Sequence, residues 1–278
     1  MHRSAVAART IAGVLSASLV GLFVLPVVAL FFYAGGSGIA FAAGDAGFRT
    51  ALEFTLLASA LAVGLGLLTG VPLGYVLARY RFPGRRILES IVTIPVVIPH
   101  LVVGIGLLLL FAPNTPVGRF TAALGIPIFD AVWGVVLVML YVGASYVVLT
   151  SQLAFRSVDE EVLEAARSLG AGPGEAFATV TLPAAARGIL TGALLMWARG
   201  VSEVGGFLIL AYAVYPSPPW NGPVTDTASV WIYNYWGIDP TAAVGASALL
   251  VLVALAIFLV VRLLDRTGLA WARGGFFS

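Results

Sequence analysis

The chain has 278 residues, 60% of them hydrophobic and 10% charged, with a formal net charge of +2. A soluble chain of that length needs more charge to keep its surface hydrated, and the apolar residues come in long runs, the pattern of membrane spans. Cysteine is absent and all 15 basic residues are arginine; this excludes disulfides, thiolate metal sites and cysteine nucleophiles, and with no lysine the chain itself holds neither a P-loop nor a lysine imine.

In chain order, the first apolar run covers about 11–33 and follows Arg3 and Arg9. A signal peptide is the competing reading, but the run is longer than the ~7–15 residues of such a segment, which favours a retained span. Further spans are expected over 54–78, 87–111, 132–153, 184–210 and 241–264. Each is near the ~20 residues a helix needs to cross hydrocarbon. The six helices are read as one membrane domain, 1–278, with a polar loop at 156–183.

The arginines orient the spans. With the N-terminus inside, Arg3, Arg9, Arg79, Arg81, Arg85, Arg86, Arg156, Arg167, Arg187, Arg262, Arg266 and Arg273 all fall on the cytoplasmic side. Only Arg49 and Arg119 fall outside. That bias places both termini in the cytoplasm, and it makes the arginines markers of span ends rather than a nucleic-acid footprint. The outer loop between the last two spans holds Tyr212, Tyr215, Trp220, Trp231, Tyr233, Tyr235 and Trp236. It reads either as an aromatic belt at headgroup level or as a surface helix near 226–237 that caps a pathway or meets an external partner.

The polar loop 156–183 opens with Ser157-Val158-Asp159-Glu160, a capping-box pattern. Val158, Val162, Ala165 and Leu169 recur at helical spacing, and Gly170 suits a left-handed C-terminal cap. Pro173 is placed to start a second short helix, and Pro183 to sit in the first turn of the fifth span. The loop reads as a connector on the inner leaflet or as a protein docking element. A lipid-surface helix is rich in basic residues, whereas this one sets Asp159, Glu160, Glu161 and Glu164 against Arg167. Docking is the better reading, with Ala165 and Ala166 allowing close approach.

Two groups stand inside the spans. Arg199 lies about fifteen residues into the fifth span, or ~22 Å along its axis, and Glu203 follows one turn later. They read either as a self-neutralising pair or as groups facing a central cavity, where Arg199 offsets an anion's charge. Gly200, Ser202, Gly205 and Gly206 thin the helix there for close packing or an unwound gate. Pro95 and Pro99 break the third span beside His100. Freed carbonyls are tolerated there if protein or a cavity covers them, and His100 is either a buried hydrogen-bonded histidine or a pathway residue. No arrangement of nucleophile, base and acid stands out, so no catalytic residues are assigned.

The run Glu164-Ala165-Ala166-x3-Gly170-x9-Val180-x-Leu182-Pro183 resembles the cytoplasmic loop signature of ATP-binding-cassette (ABC) importer permeases, with Val where Ile is commoner. Gly70–Arg79, Pro95–Ile105 and Trp197–Gly205 resemble the molybdate/tungstate branch, and sulfate permeases share parts of the pattern. The resemblance implies an all-α integral membrane protein with six transmembrane helices, the type I importer permease fold, and a coupling helix. It implies an ATPase-docking role for Glu164, Ala165, Ala166, Gly170, Leu182 and Pro183. Pro95, Pro99, His100, Arg199, Ser202, Glu203, Gly205 and Gly206 are the candidate pathway and gate residues. The expected partners are a second copy of the chain, two ATP-binding cassette ATPase subunits that hold ATP and Mg, an extracytoplasmic substrate-binding protein and the lipid bilayer, with no nucleic acid. No cofactor or metal is expected in this chain. Permeases for sulfate, another small anion or ferric iron are the alternatives within this class. An ion-coupled secondary transporter is the rival from another class.

Overall fold

A computed structural model describes residues 2–274, and the side chains of 9–263. The side chains of Arg3, Arg266 and Arg273, three of the expected inner-side markers, lie outside the described residues. All named elements among the described residues are helical. Five are long and apolar enough to cross a membrane, and a bent pair makes a sixth. The bilayer requires this choice, because only a helix closes its backbone hydrogen bonds within one segment.

Contact clustering gives two units: one holds residues up to Arg49 with Ile232–Val253, the other Thr50–Trp231 and the chain from Ala254 onward. In the first, α1 (His2–Gly44) outruns the expected 11–33 span and breaks its helical geometry at Gly35, where φ is 56°. α12 (Pro240–Gly274) begins in this unit, and Gly38 of α1 faces Gly245 of α12.

The second unit carries the core. α2 (Ala46–Arg79), α6 (Val132–Arg156) and α9 (Leu182–Val201) supply most of it, with Phe54, Val135, Met139, Val142 and Met196 buried. α6 and α9 lie side by side; a Cβ on Gly192 of α9 would stand 3.0 Å from the Cα of Val147. Small residues let two backbones approach this closely, which replaces the hydrophobic drive that lipid cannot provide. The third span is two helices, α3 (Arg85–Val97) and α4 (His100–Phe111), bent by 113°. Pro95 and Pro99 explain the bend, since each removes a donor and restricts the residue before it. A short α5 (Pro116–Ala123) follows, capped by Thr115, whose hydroxyl accepts the Gly118 amide at 3.0 Å.

The fifth span differs from its expected 184–210. α9 stops at Val201, and the chain turns through Ser202–Val204 before a separate α10 (Gly205–Leu210). At the other end the helix reaches back through α8 (Pro173–Ala176) and a π turn (Phe177–Thr181) into α9. These three form one apolar rod, Pro173–Val201. Pro183 lies in the first turn of α9, where the sequence places it, although the rod continues behind it through the π turn. It brings no amide hydrogen, and the widened turn, with Leu182 N–H bonded back to the Phe177 carbonyl, absorbs the misfit.

Candidate functional site

The segment leaving α6 forms α7 (Glu160–Ser168). The expected capping box is not formed: the Ser157 hydroxyl donates to the Ala154 carbonyl at 2.8 Å, and Asp159 is the cap, its Oδ1 accepting the Glu161 amide at 3.0 Å. Ser157 still carries αR geometry after α6, so the next non-helical residue takes the cap. Starting α7 at Glu160 also changes its inward face. Val158 and Leu163 are buried, while Val162 and Leu169 of the expected stripe are 53% and 91% exposed.

The helix ends as the sequence predicts. Gly170 has φ 97°; its amide donates to the Arg167 carbonyl at 3.0 Å and the Ala171 amide to the Ala166 carbonyl at 3.1 Å. This pair of bonds is the Schellman motif, and the left-handed residue it needs is cheapest as glycine. Glu164, Ala165, Gly170, Leu182 and Pro183 are exposed and Ala166 is half-buried. On α7 itself the exposed Ala165 follows directly on the exposed Glu164.

Arg79, at the end of α2, holds the start of this segment. One guanidinium nitrogen reaches Glu160 Oε2 at 2.6 Å and another donates to the Val158 carbonyl at 3.3 Å. Beneath it, Tyr75 packs edge-on against Phe155 and Phe177, with ring centroids 5.2 Å and 4.9 Å apart. Aromatic edges favour this arrangement, and it ties α2, α6 and the π turn into one base for α7. A polar cleft of about 560 Å³ adjoins it, lined in part by Arg79, Arg81, Arg85, Arg156 and Arg167.

The second cluster forms where α4, α9 and α10 meet. Glu203 is wholly buried. Its Oε1 accepts the Gly206 amide at 2.8 Å. Its Oε2 lies 3.1 Å from an Arg199 guanidinium nitrogen and 2.6 Å from His100 Nδ1. His100 Nε2 in turn lies against the Arg199 guanidinium. The two prolines thus deliver His100 to the pair. Arg199 and Glu203 neutralise each other, while the His100 side chain remains 45% exposed and that of Arg199 21%.

Gly205 makes this meeting sterically feasible: a Cβ there would stand 2.9 Å from the His100 Cβ and 3.1 Å from the Leu101 nitrogen. Ser202, exposed beside the cluster, donates to the Arg199 carbonyl at 3.1 Å. One supporting residue escaped sequence reasoning. Ser229, in α11 (Ala228–Trp236), donates to the Glu203 carbonyl at 2.6 Å, and no spacing links positions 26 residues apart. The expected surface helix near 226–237 is α11, but its first turn is buried, with Trp231 at 5%.

At the end of α10 the outer loop is pinned to Asp130, a non-glycine residue at φ 47°. Its amide donates to the Leu210 carbonyl at 3.1 Å, and its carbonyl accepts the Tyr215 amide at 3.0 Å. Burial pushes the Asp130 carboxyl above its ordinary value, although backbone hydrogen bonds from Ala213 and Tyr212 pull the other way. Among the described residues no group of histidine, cysteine, aspartate or glutamate has the makings of a metal site.

Comparison with known proteins identifies the architecture. The family of binding-protein-dependent transport system inner membrane components matches residues 70–267. The chain is 39% identical over 218 residues to the molybdate/tungstate transport system permease protein of Pyrococcus furiosus, covering 77% of this chain and 76% of that one. It is 30% identical over 255 residues to the sulfate transport system permease protein of a Synechocystis strain, covering 90% of each. In three dimensions it resembles a chain of a bacterial alginate ABC transporter solved with an alginate-pentasaccharide-bound periplasmic protein. The TM-score is 0.67 at 19% identity, over 92% of this chain and 93% of that one. A multi-pass helical chain matched over this length belongs to the family of binding-protein-dependent transport system inner membrane components, the permease subunits of ABC importers.

Proposed function

We propose that this permease carries an oxyanion, tungstate or molybdate, into the cell. Two copies form the pathway, two ATPase subunits dock below, and an external binding protein delivers the cargo. The arginine-rich end, with α7, faces the cytoplasm, and both termini lie there. The observation that carries the reading is the continuity of the docking surface with the charged cluster. The rod Pro173–Val201 begins beside α7 and ends with Arg199, so a push on the loop is delivered along one rigid element. Identical chains usually associate about a two-fold axis, and the exposed flank of His100, with Val97, Pro99 and Leu101 around it, is the face such a partner would complete.

In this mechanism closure of the ATPase pair draws the two α7 helices together and opens the outer mouth; hydrolysis releases them and the inner mouth opens. Arg199 offers donors to a passing anion, while Glu203 limits how tightly it is held. A dianion entering against 100 mV meets about 4.6 kcal/mol, twice the ~2.3 kcal/mol per charge, which a passive pore cannot supply.

The test is a complex of this chain with its ATPase in proteoliposomes, assayed with binding protein loaded with tungstate, molybdate or sulfate. ATP-dependent uptake driven by the tungstate- or molybdate-loaded protein is expected. Uptake driven only by the sulfate-loaded one selects the second reading, which the similarity to the Synechocystis sulfate permease favours. Uptake that proceeds without ATP overturns both.

A further inference from the structure

Away from the charged cluster, one carboxylate gathers an unusual set of donors. Glu89, one turn into α3, uses a single oxygen, Oε1. It accepts from Arg85 Nε at 3.2 Å and from a second Arg85 nitrogen at 3.2 Å. It also accepts from Gln152 Nε2 at 2.8 Å and from an Arg156 nitrogen at 3.1 Å. Gln152 and Arg156 belong to the last turns of α6, and the Gln152 amide also donates to the Leu77 carbonyl of α2 at 3.3 Å. Glu89 is therefore where the cytoplasmic ends of three spans are joined.

The placement matters because of what lies on either side. Arg156 is the final residue of α6, and the docking segment starts at the next one, held by Arg79 through Glu160 and Val158. α3 has no buried residue of its own. Its polar ties to α6 are the Glu89 cluster and a bond from the Ser145 hydroxyl to the Val92 carbonyl at 2.6 Å. From Glu89, α3 runs eight more residues to Val97, ~12 Å, then bends at Pro95 and Pro99 and presents His100 to Arg199 and Glu203. A helix loosely packed but clamped at one end acts as a lever for whatever moves the clamp. A carboxylate suits the clamp because it draws two guanidiniums and an amide to one atom, and charge-assisted bonds of this kind are the directional ones.

We infer that Glu89 is a positioning residue for transport: it fastens α3 to the end of α6, so that displacement of the docking segment is handed through the broken span to the His100–Arg199–Glu203 cluster. The inference rests on the proposed ATP-driven import, and the test separates the two. Coupling must be measured rather than read from a chain of contacts, so the readout is cargo imported per ATP hydrolysed, in proteoliposomes holding permease, ATPase and loaded binding protein.

If the wild-type complex imports nothing with ATP, the functional proposal has failed, whatever the variant does. With wild-type import established, Glu89→Gln is expected to assemble with the ATPase and hydrolyse ATP, while import per ATP falls by about fivefold or more, the low end of typical coupling. An unchanged ratio overturns the inference. Should Glu89→Gln prevent assembly, a cysteine pair is read instead. The chain has no native thiol, so Glu89→Cys with Arg156→Cys can be joined by a short reversible bifunctional linker. The linked complex is expected to regain import per ATP and to lose it on reduction. Equal ratios in the two states overturn the inference.

Discussion

Glu203 shows how a buried charge is kept at this site. Its carboxylate is claimed by Arg199, His100 and the Gly206 amide, and its carbonyl by Ser229. An uncompensated charge there would be severely unfavourable, so Arg199→Ala is a poor probe of transport. Arg199→Gln combined with Glu203→Gln removes both charges of the pair together and keeps hydrogen-bonding groups in their place. It is expected to lower uptake about tenfold, in line with a lost charge-assisted bond of ~1.5–3 kcal/mol, while leaving assembly with the ATPase intact. Assembly and proteoliposome uptake are measured side by side, and equal losses would make Arg199 and Glu203 packing residues. Asp130 yields a pH prediction. Its folded-state pKa is raised by burial, so the folded chain holds the proton more firmly than the unfolded one. Its contribution is full below the ordinary carboxylate pKa and is lost as pH rises through the raised value. Melting in detergent should therefore rise on acidification through that window. Asp130→Asn, which tolerates the positive φ, should remove that part of the pH dependence.

Among the elements, α7 carries the clearest local test. Gly170→Ala puts a Cβ on a residue at φ 97°, at a cost of ~1 kcal/mol or more. The expected result is weaker binding of the ATPase with little change in melting of the bundle, read by co-purification and thermal scans. The spans and the C-terminal cap of α7 were legible because apolar run length and a lone glycine are local signals. The break at Ser202–Val204 was not. Gly205-Gly206-Phe207-Leu208-Ile209-Leu210 is apolar enough to extend a span, and only the tertiary bonds of Glu203 show where the helix must stop. The inward face of α7 was misjudged because its phase depends on which residue caps it, and Asp159 rather than Ser157 does. Glu89 did leave a trace, a carboxylate near the start of an apolar run, which is a functional pointer by default; its partners on α6 lie too far along the chain to be read.

For the whole molecule, the proposed orientation is the claim that organises all others. Single-cysteine variants test it, since the chain supplies a thiol-free background. A membrane-impermeant thiol reagent added to intact cells is expected to label Val224→Cys, an exposed position in the outer loop, and to spare Glu164→Cys. Labelling of the latter would turn the molecule over. The π turn at Phe177–Thr181 bears on how the two ends of the rod relate. A wide turn is one residue more than an α-helix uses, and one residue is ~100° of rotation. If the extra residue migrates along the helix, the docking end swivels against the pathway end while the rod stays unbroken. On the proposed function, the fifth helix would then turn its two ends against each other as well as pass a push between them.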